Sequence, residues 1–91
     1  MPDVHHVTVF FLGHVQGVGF RYAALEAARG YEVTGFVQNL PDGRVLLEAE
    51  GEAKEVADFV AAVEEKMHHF IRKTEKSASV RTPQFEGFTI Q

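Results

Sequence analysis

The sequence predicts an α+β sandwich, with two helices on one face of an antiparallel sheet of four to five strands. Three observations predict it. Val56, Phe59, Val60, Val63 and Met67 recur at i, i+3, i+4, i+7 and i+11, the apolar stripe of a helix. Val45, Leu47 and Ala49 alternate with Glu48 and Glu50, which is strand periodicity with one buried and one wetter face. Extended and helical patterns then follow one another in the order β-α-β-β-α-β, that of a ferredoxin-like fold.

The first strand spans roughly Val4 to Gly13. Val7, Val9 and Phe11 share one face, and Phe10 and Leu12 on the other suggest a central strand. The loop Gly13-His14-Val15-Gln16-Gly17-Val18-Gly19 leads into a helix from Phe20 to about Arg29. There Phe20, Ala24, Ala27 or Ala28, and Tyr31 recur at helical spacing, and Gly30 is a natural stop. A second strand, about Glu32 to Gln38, runs into the turn Asn39-Leu40-Pro41-Asp42-Gly43. Pro41 pre-sets φ in that turn and Gly43 accepts a positive φ. The third strand is Arg44 to Glu50, ended by Gly51. Glu52 and Glu55 suit the positive end of the second helix. A fourth strand is expected from about His69 to Ser77. Ser77 to Gln84 reads as loop, with Pro83 arguing against continuous pairing. Phe85 to Ile90 alternates as a short fifth strand would.

At 91 residues the chain is expected to form one domain, residues 1–91, and 45% apolar residues suffice for a packed core. No cysteine is present, which removes disulfides and thiolate zinc sites. Met1-Pro2-Asp3 has no basic leader character, and the apolar run Val7 to Leu12 is far too short to span a bilayer. A cytoplasmic, monomeric protein with no membrane contact is expected. The net charge of −4 argues against affinity for nucleic-acid backbones, but it leaves room for one local basic pocket for a small anion.

The glycine-rich loop is the richest stretch chemically. Successive main-chain N–H groups between a strand and a helix can converge on one anion, and the first helical N–H groups lack intrahelical partners. Gly17 and Gly19 can adopt angles closed to other residues. Arg21 lies in the first helical turn, where the dipole repels a cation. Its placement makes sense if an anion sits between its guanidinium and the amides. The competing reading is a plain connection with a surface arginine, and neither a Walker loop nor G-x-G-x-x-G is present. Asn39, beside a tight turn, reads on its own as turn chemistry.

Gly13-His14-Val15-Gln16-Gly17-Val18-Gly19-Phe20-Arg21 resembles the first signature of the acylphosphatase family, G-x-V-Q-G-V-x-F-R. Gly35-Phe36-Val37-Gln38-Asn39-Leu40-Pro41-Asp42-Gly43-Arg44-Val45 resembles its second, G-[aromatic]-V-x-N-x-x-D-G-x-V, and Phe85 to Ile90 resembles its F-x-G-F-x-I ending. The resemblance implies a ferredoxin-like fold and hydrolysis of small acyl phosphates. It places phosphate binding on Arg21 and on the main chain of Gln16, Gly17, Val18, Gly19, Phe20 and Arg21. It places orientation of the attacking water on Asn39. The match departs at Tyr31-Glu32-Val33, where the family reads L-G-L, and at Met67 to Ile71, where it has a Gly-Pro turn. The ends of both helices are therefore open.

No metal or cofactor is expected. His5 and His6 are strand neighbours pointing to opposite faces and cannot readily chelate one ion. His14 reads as a solvent-exposed loop residue, and Arg72-Lys73-Thr74-Glu75-Lys76 as a charged edge strand. Phe10, Phe11, Phe36, Phe59 and Phe85 read as core. Two rival functions remain: a non-catalytic module binding an anion or a partner, and an RNA-recognition domain of the same element order. The second needs aromatics on the central strands, which the third strand lacks, and a basic face.

Overall fold

The computed structural model describes residues 2–91. Its elements are β1 (Val4–Gly13), α1 (Phe20–Ala28), β2 (Val33–Asn39), β3 (Val45–Gly51), α2 (Ala53–Met67), β4 (Ile71–Arg81) and β5 (Phe88–Ile90). The sheet order is β4-β1-β3-β2-β5. Both helices lie on one face, as the patterning predicts. Val9, Phe11, Val37, Val45 and Leu47 of the sheet meet Phe20 and Ala24 of α1 and Val56, Phe59 and Val63 of α2 in one buried cluster. Each large side chain in it contributes roughly 1.5–3 kcal/mol by leaving water.

Three expectations need correction. The sheet is mixed: β1, β3, β4 and the β2–β3 hairpin pair antiparallel, but β5 runs parallel to β2, with Gly35 opposite Phe88 and Val37 opposite Ile90. A parallel partner needs the chain to cross the sheet first, and residues 82–87 do so. Next, β4 continues through Ser77 to Arg81 instead of becoming a loop, because β1 keeps supplying partners as far as Val4 opposite Arg81. The break near Pro83 comes only after pairing has ended. β4 also begins two residues late, at Ile71, because residues 68–70 form a turn closed by Phe70 N donating to Met67 O at 2.9 Å. The charged run 72–76 does lie on an edge strand.

The third correction concerns the face away from the helices. Phe11, Phe36 and Phe59 are buried as expected, but Phe10 and Phe85 are only half-buried. Phe10 lies under the Arg44 guanidinium, 4.4 Å from its ring centre, and Phe85 packs edge-on against Phe36 with centroids 5.6 Å apart. Nor is the face uniformly wet. His6 and Glu50 are buried on it beneath the strap of residues 82–87. The carboxylate of Glu50 accepts from Arg81 Nε and from the amides of Gln84 and Phe85 at 2.8, 2.8 and 3.2 Å. His6 Nε2 lies 3.1 Å from Glu48. Its Nδ1 lies 3.3 Å from Glu50 but is too poorly directed to hydrogen-bond.

Candidate active site

The loop between β1 and α1 opens onto a cleft of about 230 Å³. Gly17, Gly19 and Phe20 form its floor, Arg21 and Asn39 its polar sides, and Tyr22 and Ile90 its apolar rim. Gly17 and Gly19 have φ of +75° and +79° in open space, so the backbone angle alone, not crowding, demands glycine there. Gly19 is the residue that caps α1, and no side chain hydrogen-bonds the helix start. The helix therefore presents its first amides without a competing internal acceptor, which suits them to an anion.

Phe20 starts α1 and turns its ring into the core, 4.8 Å from Phe11. This anchors the first turn, so that Arg21, next along it, is exposed at the cleft. The Arg21 guanidinium makes a long hydrogen bond, 3.5 Å, to the Gln91 carbonyl. Asn39 is not part of the turn that follows it. It is the last residue of β2, paired with Val45, and its Oδ1 is buried with no hydrogen-bond partner among the described residues. A buried acceptor left unpaired costs roughly 1–3 kcal/mol. A donor in the cleft would remove that cost.

The remaining residues of the expected cradle divide. Val18 packs down on the core and ties the loop to it. Gln16 turns its side chain away toward the β2–β3 turn, where Nε2 donates to the carbonyls of Leu40 and Arg44 at 2.7 and 3.0 Å. That tie has no counterpart in the sequence reading, and neither do Tyr22 and Ile90. Tyr22 follows the signature arginine and was open to notice as a large apolar group on a helix's outer face. Ile90 reaches the cleft only because β5 lies beside β2. His14 is exposed, as expected.

Asp42 is engaged elsewhere. Its carboxylate accepts from Arg44 N at 3.1 Å and Arg44 Nε at 2.8 Å. The Arg44 amide above all holds that exposed carboxyl below the usual range; burial opposes it, and the Arg44 guanidinium adds to the lowering. It stays in the turn as an anion and is not placed as a general base.

A ferredoxin-like fold with an uncapped helix start, one arginine and one unpartnered amide oxygen around a cleft is the class that fold and cleft define. The chain belongs to the acylphosphatase family, whose model matches residues 7–90. It is 45% identical over 69 residues to an acylphosphatase of Oceanobacillus iheyensis, covering 76% of each chain. It is 41% identical over 83 residues to one of Bordetella parapertussis, covering 89% of this chain and 80% of that one. The crystal structure of acylphosphatase from Bacillus subtilis superposes with a TM-score of 0.85 at 29% identity, covering 96% of this chain and 98% of that one. Full-length HypF in its phosphate- and nucleotide-bound form matches with a TM-score of 0.82 at 27% identity. The match takes in the whole of this chain but only 12% of that one. Among the described residues no helix is long and apolar enough to cross a membrane.

Proposed function

We propose that this acylphosphatase binds the phosphoryl group of a small acyl phosphate on Arg21 and the amides of residues 16–21, and that Asn39 aims the attacking water. The observation that carries the reading is the unpartnered, buried Asn39 Oδ1 at the side of the cleft opened by the loop. An amide oxygen accepts a hydrogen bond but does not titrate, so it can orient water and cannot deprotonate it.

The chemistry asks for no more. Water oxygen bonds to phosphorus as the bond from phosphorus to the carboxyl oxygen breaks, and the electron pair leaves with the carboxylate. A carboxylate departs without a proton, so no general acid is needed. The transition state is loose, so the protein's contribution is alignment and stabilisation of charge on the equatorial oxygens. The water's proton can pass to an oxygen of the substrate itself. No step calls for a metal or cofactor. The groups named all belong to one chain, so a monomer suffices, and the chain's net charge of −4 fits a small soluble anion better than a polymer.

The acyl group extends from the cradle toward Tyr22 and Ile90. Tyr22 is 61% and Ile90 40% exposed, and among the described residues Val80 is the other large hydrophobic side chain so exposed. An apolar rim at the acyl end favours aromatic and bulky acyl groups. The rival reading of a non-catalytic anion-binding module would need the cradle and Arg21 but gives Asn39 Oδ1 no task.

Hydrolysis of benzoyl phosphate tests the reading. Asn39→Ala is expected to lower kcat by about 100-fold with phosphate inhibition retained, and Arg21→Ala to weaken phosphate binding as well as rate. A wild type no faster than buffer removes the enzyme reading. An Asn39→Ala variant as fast as wild type removes only the assignment of the water.

A further inference from the structure

We infer that Gln16 is a positioning residue, whose side chain sets the distance between the phosphate cradle and Asn39. The inference rests on the hydrolytic reading above. Cradle and asparagine belong to different elements: the loop hangs between β1 and α1, whereas Asn39 ends β2. Something has to hold them in register. The Gln16 carboxamide spans 24 and 28 residues of sequence to donate from one nitrogen to Leu40 O at 2.7 Å and Arg44 O at 3.0 Å. Leu40 is the residue after Asn39, and Arg44 is on the opposite limb of the same turn.

The turn does not need Gln16 in order to close. Leu40 N already donates to Arg44 O at 2.9 Å, and Gly43 N to Leu40 O at 3.1 Å. Each carbonyl thus keeps a main-chain donor if Gln16 is removed, and no acceptor is orphaned. What the two extra bonds add is a connection from the loop to the hairpin. Both acceptors being main chain, the connection fixes backbone to backbone through one half-buried side chain. It leaves the cradle amides and Arg21 on their own element and governs where the hairpin, with Asn39, stands against them. Water must be aimed in line with the breaking bond, and an error of about 1 Å in such placement costs up to 100-fold in rate. Loss of the tie therefore acts on turnover more than on phosphate binding.

The test uses Gln16→Met, which keeps the length and the unbranched Cβ and removes the donor. We expect kcat on benzoyl phosphate to fall about tenfold or more, while the inhibition constant of inorganic phosphate moves less than about threefold. In the Asn39→Ala background the same change should cost little further rate, because the residue that Gln16 positions is gone. A Gln16→Met enzyme within about twofold of wild type overturns the inference. So does an equal fractional loss with and without Asn39, or a loss of phosphate affinity that parallels the loss of rate. A thermal melt checks that the variant is folded, and kcat is taken per folded molecule. If wild type itself shows no turnover, the hydrolytic reading falls and this one with it. If wild type turns over and Gln16→Met is unimpaired, only the tie falls.

Discussion

Replacing Glu50 with glutamine probes the strap that carries the chain from β4 to β5. Glu50 is 2% exposed, so solvent screens its contacts little. Burial pushes its carboxyl up, but the Gln84 amide, the Arg81 guanidinium and the Phe85 amide together outweigh that. They hold it below its ordinary value of 4.5. Glutamine has the same shape. Its oxygen can still accept from Gln84 N and Phe85 N, now without the charge that strengthens those bonds. Its amide nitrogen faces Arg81 Nε, donor against donor, so the 2.8 Å bond is lost. A hydrogen bond to a charged group is worth roughly 1.5–3 kcal/mol, and the relief of an otherwise buried carboxylate offsets part of the loss. The net cost is about 2 kcal/mol, or roughly 8–16 °C in Tm for a domain of this size. Urea unfolding followed by circular dichroism measures it. The sign with pH follows from the lowered carboxyl: its contribution is complete above 4.5 and is lost as pH falls through the folded-state value. The gap between wild type and variant should narrow in acid below 4.5. A loss under about 0.5 kcal/mol at neutral pH, or a gap that does not narrow in acid, would mean that the Glu50 carboxylate does not fasten the strap.

Other perturbations follow from the same geometry. Tyr22→Ala should lower kcat/KM for benzoyl phosphate about fivefold and leave acetyl phosphate within about twofold, since only the larger acyl group reaches the ring; equal losses on both substrates would deny the apolar rim a part in selection. Gly35→Ala should cost about 3 kcal/mol or more in urea unfolding, because the new Cβ would overlap the Glu48 carbonyl and backbone cannot give way. Gly19→Ala meets nothing within 4 Å and should cost only about 1–2 kcal/mol, the strain of a left-handed residue. Equal losses in the two variants would show that crowding at Gly35 adds nothing to the cost.

The helix-facing half of the molecule was legible because its periodicity is local. The stripe from Val56 to Met67 and the alternation Val45, Leu47, Ala49 each report burial within a dozen residues, and all eight are buried. The other half depended on long-range return of the chain. Glu50 sits at an alternating polar position and reads as wet, because nothing near it in sequence announces that Gln84 and Phe85 will cover it. The direction of β5 was equally silent, since Phe88 to Ile90 would alternate the same way in either orientation. β4 outran its expected end because an edge strand needs only one partner, and Ser77 to Val80 follow no burial rhythm of their own. Within the cleft, the glycine loop and Arg21 carried a physical signal. Asn39 looked like a turn residue because only tertiary structure shows its oxygen buried and unpaired.

The mechanism proposed above uses no acid, base or metal, so its rate has to come from placement, and placement depends on how separate elements are held. Here the cleft draws on three of them: the loop and α1 supply the cradle and Arg21, β2 supplies Asn39, and β5 supplies Ile90. The core fixes α1 against the sheet through Phe20. Phe88 also packs β5 onto it, 5.2 Å from Phe59. Asn39 and Ile90 each have a polar fastening besides. Gln16 joins the loop to the hairpin with two bonds, and β5 is joined to β2 by Gly35 N to Gly87 O and Gln91 N to Val37 O, both 2.9 Å. Glu50 fastens the strap just upstream of β5, so it belongs to the same series. The order of effects on the reaction follows from what each fastening holds. Loosening Gln16 moves the water and should reach kcat. Loosening Glu50 moves the acyl rim and should reach stability and the choice of acyl group before it reaches the phosphate.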